Sequence, residues 1–185
     1  MSLTAASQPR KQEKGRFAMQ DIMTYTIRHS ILGSILIAQS QQGICAVHMD
    51  DHPSILLKNF HKRFPESCRN NSERTLNKRA DNIVTWIEDP KADLDIPLDI
   101  RGTDFQKRVW NALCHIPSGK TSSYSDIASM IKQPKAVRAV AHACAANSLA
   151  VLIPCHRVVT KNGNLSGYRW GVKRKQKLLE REGVG

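Results

Sequence analysis

A thiol and an imidazole stand side by side in the run Val151-Leu152-Ile153-Pro154-Cys155-His156-Arg157-Val158-Val159, between two apolar stretches. The nucleophile is the thiolate, and burial among apolar side chains raises a thiol's pKa, so a reactive Cys155 needs a base or a positive field beside it. His156 is the adjacent base. In extended chain, neighbouring side chains point to opposite faces, so His156 serves Cys155 only if Pro154 bends the backbone or a water bridges the two groups. The chemistry on offer is nucleophilic attack by sulfur. On this run alone the plainer alternative, a buried cysteine that only packs, stays open.

The elements around the pair must position it. Thr103 opens a helix with Gln106 completing a capping box, and Phe105, Val109, Trp110 and Leu113 form its apolar face, which puts Trp110 in the core. After the turn Pro117–Lys120, Ser123 and Asp126 form a second capping box for a helix through Ile131, and Pro134 is expected at the first position of another helix to about Ala146. Two helices joined by so short a turn predict a helix-turn-helix. The second contains six alanines from Ala136 to Ala146, with Arg138 and His142 one turn apart. Such a face either approaches a surface closely or packs tightly on a neighbouring helix.

The first half reads differently. The β-prone runs TYTI, GSILIA and GICAVHM between Thr24 and Met49 predict a small antiparallel meander. Ser54 is expected to cap a helix ending near Phe64 before Pro65, and a second helix fits Thr75 to Glu88 before Asp89-Pro90. Lys91–Gly102 reads as an extended linker, which sets the expected boundaries: a disordered arm over 1–23, an α/β domain over 24–99 and a mostly helical domain over 100–185. The fold class is α+β.

Five cysteines at irregular spacing suit neither a disulfide framework nor a zinc motif, so a reducing cytoplasm and no metal are expected. No apolar run approaches the ~18 residues of a membrane span, and the first residues carry no secretory signal, so no membrane association is expected. Charge is uneven. From Arg101 onward fifteen Lys and Arg face four Asp and Glu, whereas residues 24–100 carry nine against ten. That asymmetry suits a polyanionic partner or, more plainly, a solvated basic surface.

PKAVRAVAHACAAN, then IPCHRVV, then GNLSGYRWGVKRKQKLLEREG closely resemble the O6-alkylguanine-DNA alkyltransferases, the methylated-DNA-protein-cysteine methyltransferases, and most of all the C-terminal portion of the bacterial Ada members. The resemblance is strong from about Ile100 to Gly183 and looser from Thr24 to Asp99. It implies a ribonuclease H-like first domain and a winged helix-turn-helix-like second domain that binds DNA and carries the chemistry. By it, Cys155 is the alkyl acceptor, His156 the base acting through water, Glu182 the carboxylate orienting the imidazole, and Asn147 the hinge before the active-site strand. Tyr124 contacts the flipped guanine, Val158 and Ser166 line its pocket, and Arg138 fills the gap left in the duplex. Ser125, Gln133 and Ala139 are further DNA contacts.

The implied partner is double-stranded DNA containing alkylated guanine, bound through the minor groove by a monomer without a cofactor. The base must be extruded at a cost of a few kcal/mol. The thioether formed has no easy route back, so one molecule repairs one lesion, O6-alkylguanine and also O4-methylthymine. Counterparts of Ada's phosphotriester-sensing and gene-activating modules are not read in the residues before Thr24, so direct repair without gene activation is expected. A helix-turn-helix regulator, a lesion sensor lacking the acceptor cysteine and a cysteine hydrolase are the competing readings. The basic second half predicts that binding to undamaged duplex weakens steeply as salt rises, measured as the slope of log Kd against log salt; a flat response would mark the surface as merely solvated.

Overall fold

In the computed structural model, which describes residues 23–70, 73–89 and 94–184, the three β-prone runs form β1 (Thr24–Ser30), β2 (Gly33–Gln39) and β3 (Ile44–Asp50), paired antiparallel in sequence. The expected arm over 1–23 lies outside the described residues except for Met23, which is buried and whose carbonyl accepts the Cys68 N–H. A two-residue strand, β4 (Cys68–Arg69), runs parallel to the start of β1 and completes the sheet order β3-β2-β1-β4. It is too short to show a period, and the sequence reading misses it.

β2 is buried from Ser34 to Gln39 instead of alternating, because both sheet faces are covered. Leu36 and Ala38 pack with Leu56 and Phe60 of α1 (Pro53–Arg63), whereas Ile35 and Ile37 share a core with α2 (Arg74–Glu88) and with the second half of the chain. α1 begins at Pro53, with His52 at its cap and no side-chain cap bond, so Ser54 is not the cap. Proline at the first helical position lacks an N–H that would be unsatisfied anyway and already has the helical φ.

Both expected capping boxes are present, at Thr103 on α3 (Asp104–Cys114) and at Ser123 on α4 (Tyr124–Met130). α5 (Val137–Ala146) starts three residues later than expected. Lys132, at φ 59°, and the turn closed by Ala136 N–H on the Gln133 carbonyl reverse the chain first, and Pro134 sits in that turn. Val158–Val159 form β6, parallel to β5 (Ser122–Ser123), and α6 (Val172–Arg181) follows.

The free edge of β3 is covered twice. Pro97 and Asp99, in the expected linker, pair with Ile44 at 2.8 Å each, and Ser148 and Ala150, just beyond α5, pair with Val47 at 2.8 and 3.1 Å. The backbone leading to Cys155 is thereby fixed to the sheet. Among the described residues no helix is long and apolar enough to cross a membrane.

The closeness of the linker to β3 rests on Gly43, at φ 154°, where a Cβ would lie 2.3 Å from the Pro97 carbonyl oxygen. Gly43→Ala is expected to cost about 1–3 kcal/mol in urea unfolding. Gly163, at φ 77° with nothing within 4 Å, is the control, and its alanine variant should lose only the cost of the left-handed backbone, about 1 kcal/mol.

Candidate active site

Asn147 ends α5 and organises the loop that follows. Its Oδ1 accepts the Leu149 N–H at 2.8 Å, and its Nδ2 donates to the Ile153 carbonyl at 3.0 Å and to Cys155 Sγ at 3.3 Å. A primary amide suits both jobs, since it accepts at one end and donates at the other. Val151 is held at φ 68°, in the left-handed region that β-branched residues avoid, with Ala150 fastened to Val47 and Ile153 N–H to the Leu149 carbonyl. The chain therefore does not run extended into the thiol. Cys155 opens a single 3-10 turn, Cys155–Arg157, and the strand begins only at Val158, so the bend required at Pro154 is present.

Burial pushes the Cys155 thiol up, and the hydrogen bond from Asn147 and the positive charge of Lys175 oppose that rise. His156 is fully buried, and its Nε2 lies 2.8 Å from Glu182 Oε1. Burial would raise the Glu182 carboxyl, but hydrogen bonds from His156 and Arg157 and their charges outweigh it and hold the group at about 2. An ionised carboxylate only accepts, so the Nε2 atom of His156 carries the proton and Nδ1 presents a lone pair. Burial also lowers the His156 pKa, opposed by Glu182, and Nδ1 has no hydrogen-bond partner among the described residues. A neutral imidazole with an unused basic nitrogen thus lies one residue from the thiol.

Arg157 was not singled out in the sequence. Its Nε and Nη2 grip both Glu182 oxygens at 2.9 Å, and its Nη1 donates to the Ile116 carbonyl at 2.6 Å. The sequence did hold a sign, a charge between two apolar runs, because such a charge must be paired to be buried.

Cys155 lies on a cavity of about 500 Å³ whose walls include Tyr124, Cys144, Ser166, Tyr168 and Arg169. The Tyr124 hydroxyl is 2.7 Å from Ser166 Oγ, and burial raises its pKa, so the phenol keeps its proton. Lys175, fully buried, donates to the Val158 carbonyl at 2.5 Å and to Ser166 Oγ at 3.3 Å. Its place on the buried stripe of α6 with Leu178 and Leu179 was the available signal. Val158 is buried and anchors Lys175 by its carbonyl; it is not part of the cavity wall.

Arg138 and Ala139 stand exposed on α5, away from the cavity, while Val140, Ala143 and Cys144 pack inward. Trp110 donates to the Ala143 carbonyl at 2.8 Å, so the inward face of the alanine helix packs tightly on α3. Ser125 is half-buried, its Oγ 2.7 Å from Ser123 Oγ, and Gln133 closes the end of α4 through its backbone N–H. Among the described residues no group of three or more His, Cys, Asp or Glu could hold a metal ion.

Two family models match the chain: the 6-O-methylguanine DNA methyltransferase ribonuclease-like domain over residues 23–100 and the DNA-binding domain of the same family over residues 104–184. An inducible methylated-DNA–protein-cysteine methyltransferase of Bacillus subtilis is 43% identical over 147 residues, 79% of this chain and 82% of its own length. The chain belongs to the 6-O-methylguanine DNA methyltransferase family. Another member, the regulatory protein Ada of Salmonella typhimurium, is 48% identical over 158 residues, 85% of this chain but 45% of its own length, so the chain spans less than half of that relative. Among solved structures of this family, Mycobacterium tuberculosis OGT in complex with DNA superposes with a TM-score of 0.74 at 34% identity, covering 86% of this chain and 92% of the other. The α+β architecture, an antiparallel sheet domain followed by a helical one, is shared with it.

Because the Glu182 carboxyl lies at about 2 in the fold against an ordinary 4.5, its pairing stabilises the protein above the ordinary value and is lost as pH falls towards 2. Urea midpoints measured from pH 6 down to about 2 should fall more steeply for the parent than for Glu182→Gln, which cannot titrate.

Proposed function

We propose that the chain repairs DNA by direct reversal, moving a methyl or larger alkyl group from O6 of guanine, and also from O4-methylthymine, onto Cys155 Sγ. The observation that carries this reading is the buried thiol on a cavity wall, braced by Asn147, beside an imidazole whose proton is fixed on the side of Glu182.

In the proposed reaction the Cys155 proton passes through a water to His156 Nδ1, and the imidazolium that forms is stabilised by Glu182. The thiolate attacks the alkyl carbon. A C–S bond forms as the C–O6 bond breaks, and the electron pair stays on the guanine. Tyr124, whose phenol keeps its proton, donates to the developing negative charge, and Ser166 and Lys175 hold that hydroxyl in place. The proton on His156 returns to the Tyr124–guanine side, so the base leaves neutral and the sulfur remains as a thioether. Turnover stops there, with no cofactor used.

Double-stranded DNA is the proposed partner, met by a monomer through the exposed face of α5. Ala139 lets the backbone approach the minor groove, Arg138 fills the space of the extruded nucleotide, and Ser125 and Gln133 flank it. The buried thiol and four further free cysteines fit a reducing, cytoplasmic setting.

Incubation with duplex containing O6-methylguanine should add one methyl mass to the peptide carrying Cys155, at one equivalent per protein. Cys155→Ser should bind DNA and transfer nothing; repeated turnover would contradict the mechanism. Arg138→Ala should slow repair of duplex at least about tenfold while leaving the reaction with free O6-benzylguanine unchanged, because the free base needs no extrusion. Equal slowing of both substrates would remove Arg138 from that role.

A further inference from the structure

A second cavity of about 440 Å³ lies on the other side of Arg169, between the end of β3, α1 and the segment Arg169–Trp170. Lys62, Arg63 and Arg169 contribute three cations to its lining, against one carboxylate, Asp50, which already accepts the His52 N–H at 3.0 Å. Among the described residues neither arginine has an ion-pair partner. Each reaches a carbonyl at the end of α5, Arg63 that of Ala146 at 3.4 Å and Arg169 that of Ala145 at 3.5 Å, contacts that leave most of their N–H groups free. The two charges oppose each other, since burial and then Arg63 lower the Arg169 pKa.

The floor is also unsatisfied. Buried His48 and Trp170 pack at a tilt with ring centroids 4.8 Å apart, and among the described residues His48 Nε2 and Trp170 Nε1 have no hydrogen-bond partner. Burial, reinforced by Arg169 and Arg63, holds the His48 ring at about 3, so it stays neutral and the surplus charge belongs to the rim. Lys62, Arg63 and Arg169 stand exposed around the rim, with Arg169 over the Trp170 ring at 4.9 Å, so three like charges converge on one cavity, an arrangement complementary to an oxyanion with several acceptor oxygens.

We propose that this cavity binds a phosphate group, brought by a free phosphorylated small molecule or by the backbone of bound nucleic acid. The guanidinium forks of Arg63 and Arg169 take its oxygens in pairs, with Lys62 as a third charge. The site is distinct from the cavity holding Cys155 and stands whether or not Cys155 accepts an alkyl group; Arg169 forms the wall between the two.

Trp170 provides the reporter, because the chain has three tryptophans and therefore three indole N–H resonances. With tryptophan-labelled protein, and Trp170→Phe to identify the peak, inorganic phosphate should move the Trp170 resonance saturably at constant ionic strength. The pair Lys62→Ala and Arg63→Gln, where glutamine keeps a donor for the Ala146 carbonyl, should weaken phosphate binding at least about tenfold, the equivalent of one charge-assisted hydrogen bond. The other two resonances should report an intact fold in both proteins. Undamaged duplex then separates the sources. If duplex moves the same peak and phosphate competes with it, the ligand is a backbone phosphate; if phosphate binds and duplex leaves the peak still, the site takes a free phosphorylated molecule. A peak that responds to phosphate no more than to chloride, or equally in the double variant, would overturn the proposal.

Discussion

Glu182 carries a full negative charge with 4% of its side chain exposed, in surroundings where an unpaired carboxylate would be prohibitive. It stays because His156 and Arg157 direct three hydrogen bonds at its two oxygens, and the remaining arm of Arg157 is taken up by the Ile116 carbonyl. Three elements are joined at this point: the end of α6, the 3-10 turn that holds Cys155 and the loop after α3. Such a cluster adds little net stability over an apolar one, but removing a single partner strands a buried charge at about 3–5 kcal/mol. The arrangement therefore has one geometry, which fixes the tautomer of the imidazole next to the thiol.

Asn147 supplies the second constraint from the opposite side. Its side chain closes the loop from α5 onto Ile153 and Cys155 Sγ, while Ser148 and Ala150 tie that loop to the edge of β3. The sheet half of the chain thus acts on the thiol through backbone hydrogen bonds, although it contributes no side chain to the cavity wall. Strain at Val151 is held by the same contacts, as expected of a loop over-determined by its surroundings.

Much of this was legible in the residues, for reasons that differ by element. The capping boxes at Thr103 and Ser123 are local chemistry, and both appear as read. The start of α5 and the cap of α1 were misplaced because proline tolerates a turn as readily as a first helical turn: the left-handed backbone at Lys132 put Pro134 in a turn, whereas Pro53 took the first helical position. β4 and the pairing of the linker with β3 depend on partners distant in sequence, so no local pattern announces them. At the candidate site, Cys155 and His156 were legible as a thiol beside a base, whereas Glu182, Asn147, Tyr124 and Ser166 were named from family resemblance, and the fold gathers them. Arg157 and Lys175 were missed because their positions read as basic surface, and only the fold shows the carbonyls and the carboxylate that allow their burial.

The claim on which the whole reading turns is that His156 and Glu182 act on Cys155 as one unit. A double-mutant cycle on the rate of alkyl transfer from free O6-benzylguanine tests it, using His156→Asn, Glu182→Gln and the two combined, each first shown to be folded. If the two residues act as one unit, each single change slows transfer at least about a hundredfold and the double variant is hardly slower than the worse single one. Additive losses, or a Glu182→Gln protein as fast as the parent, would contradict it.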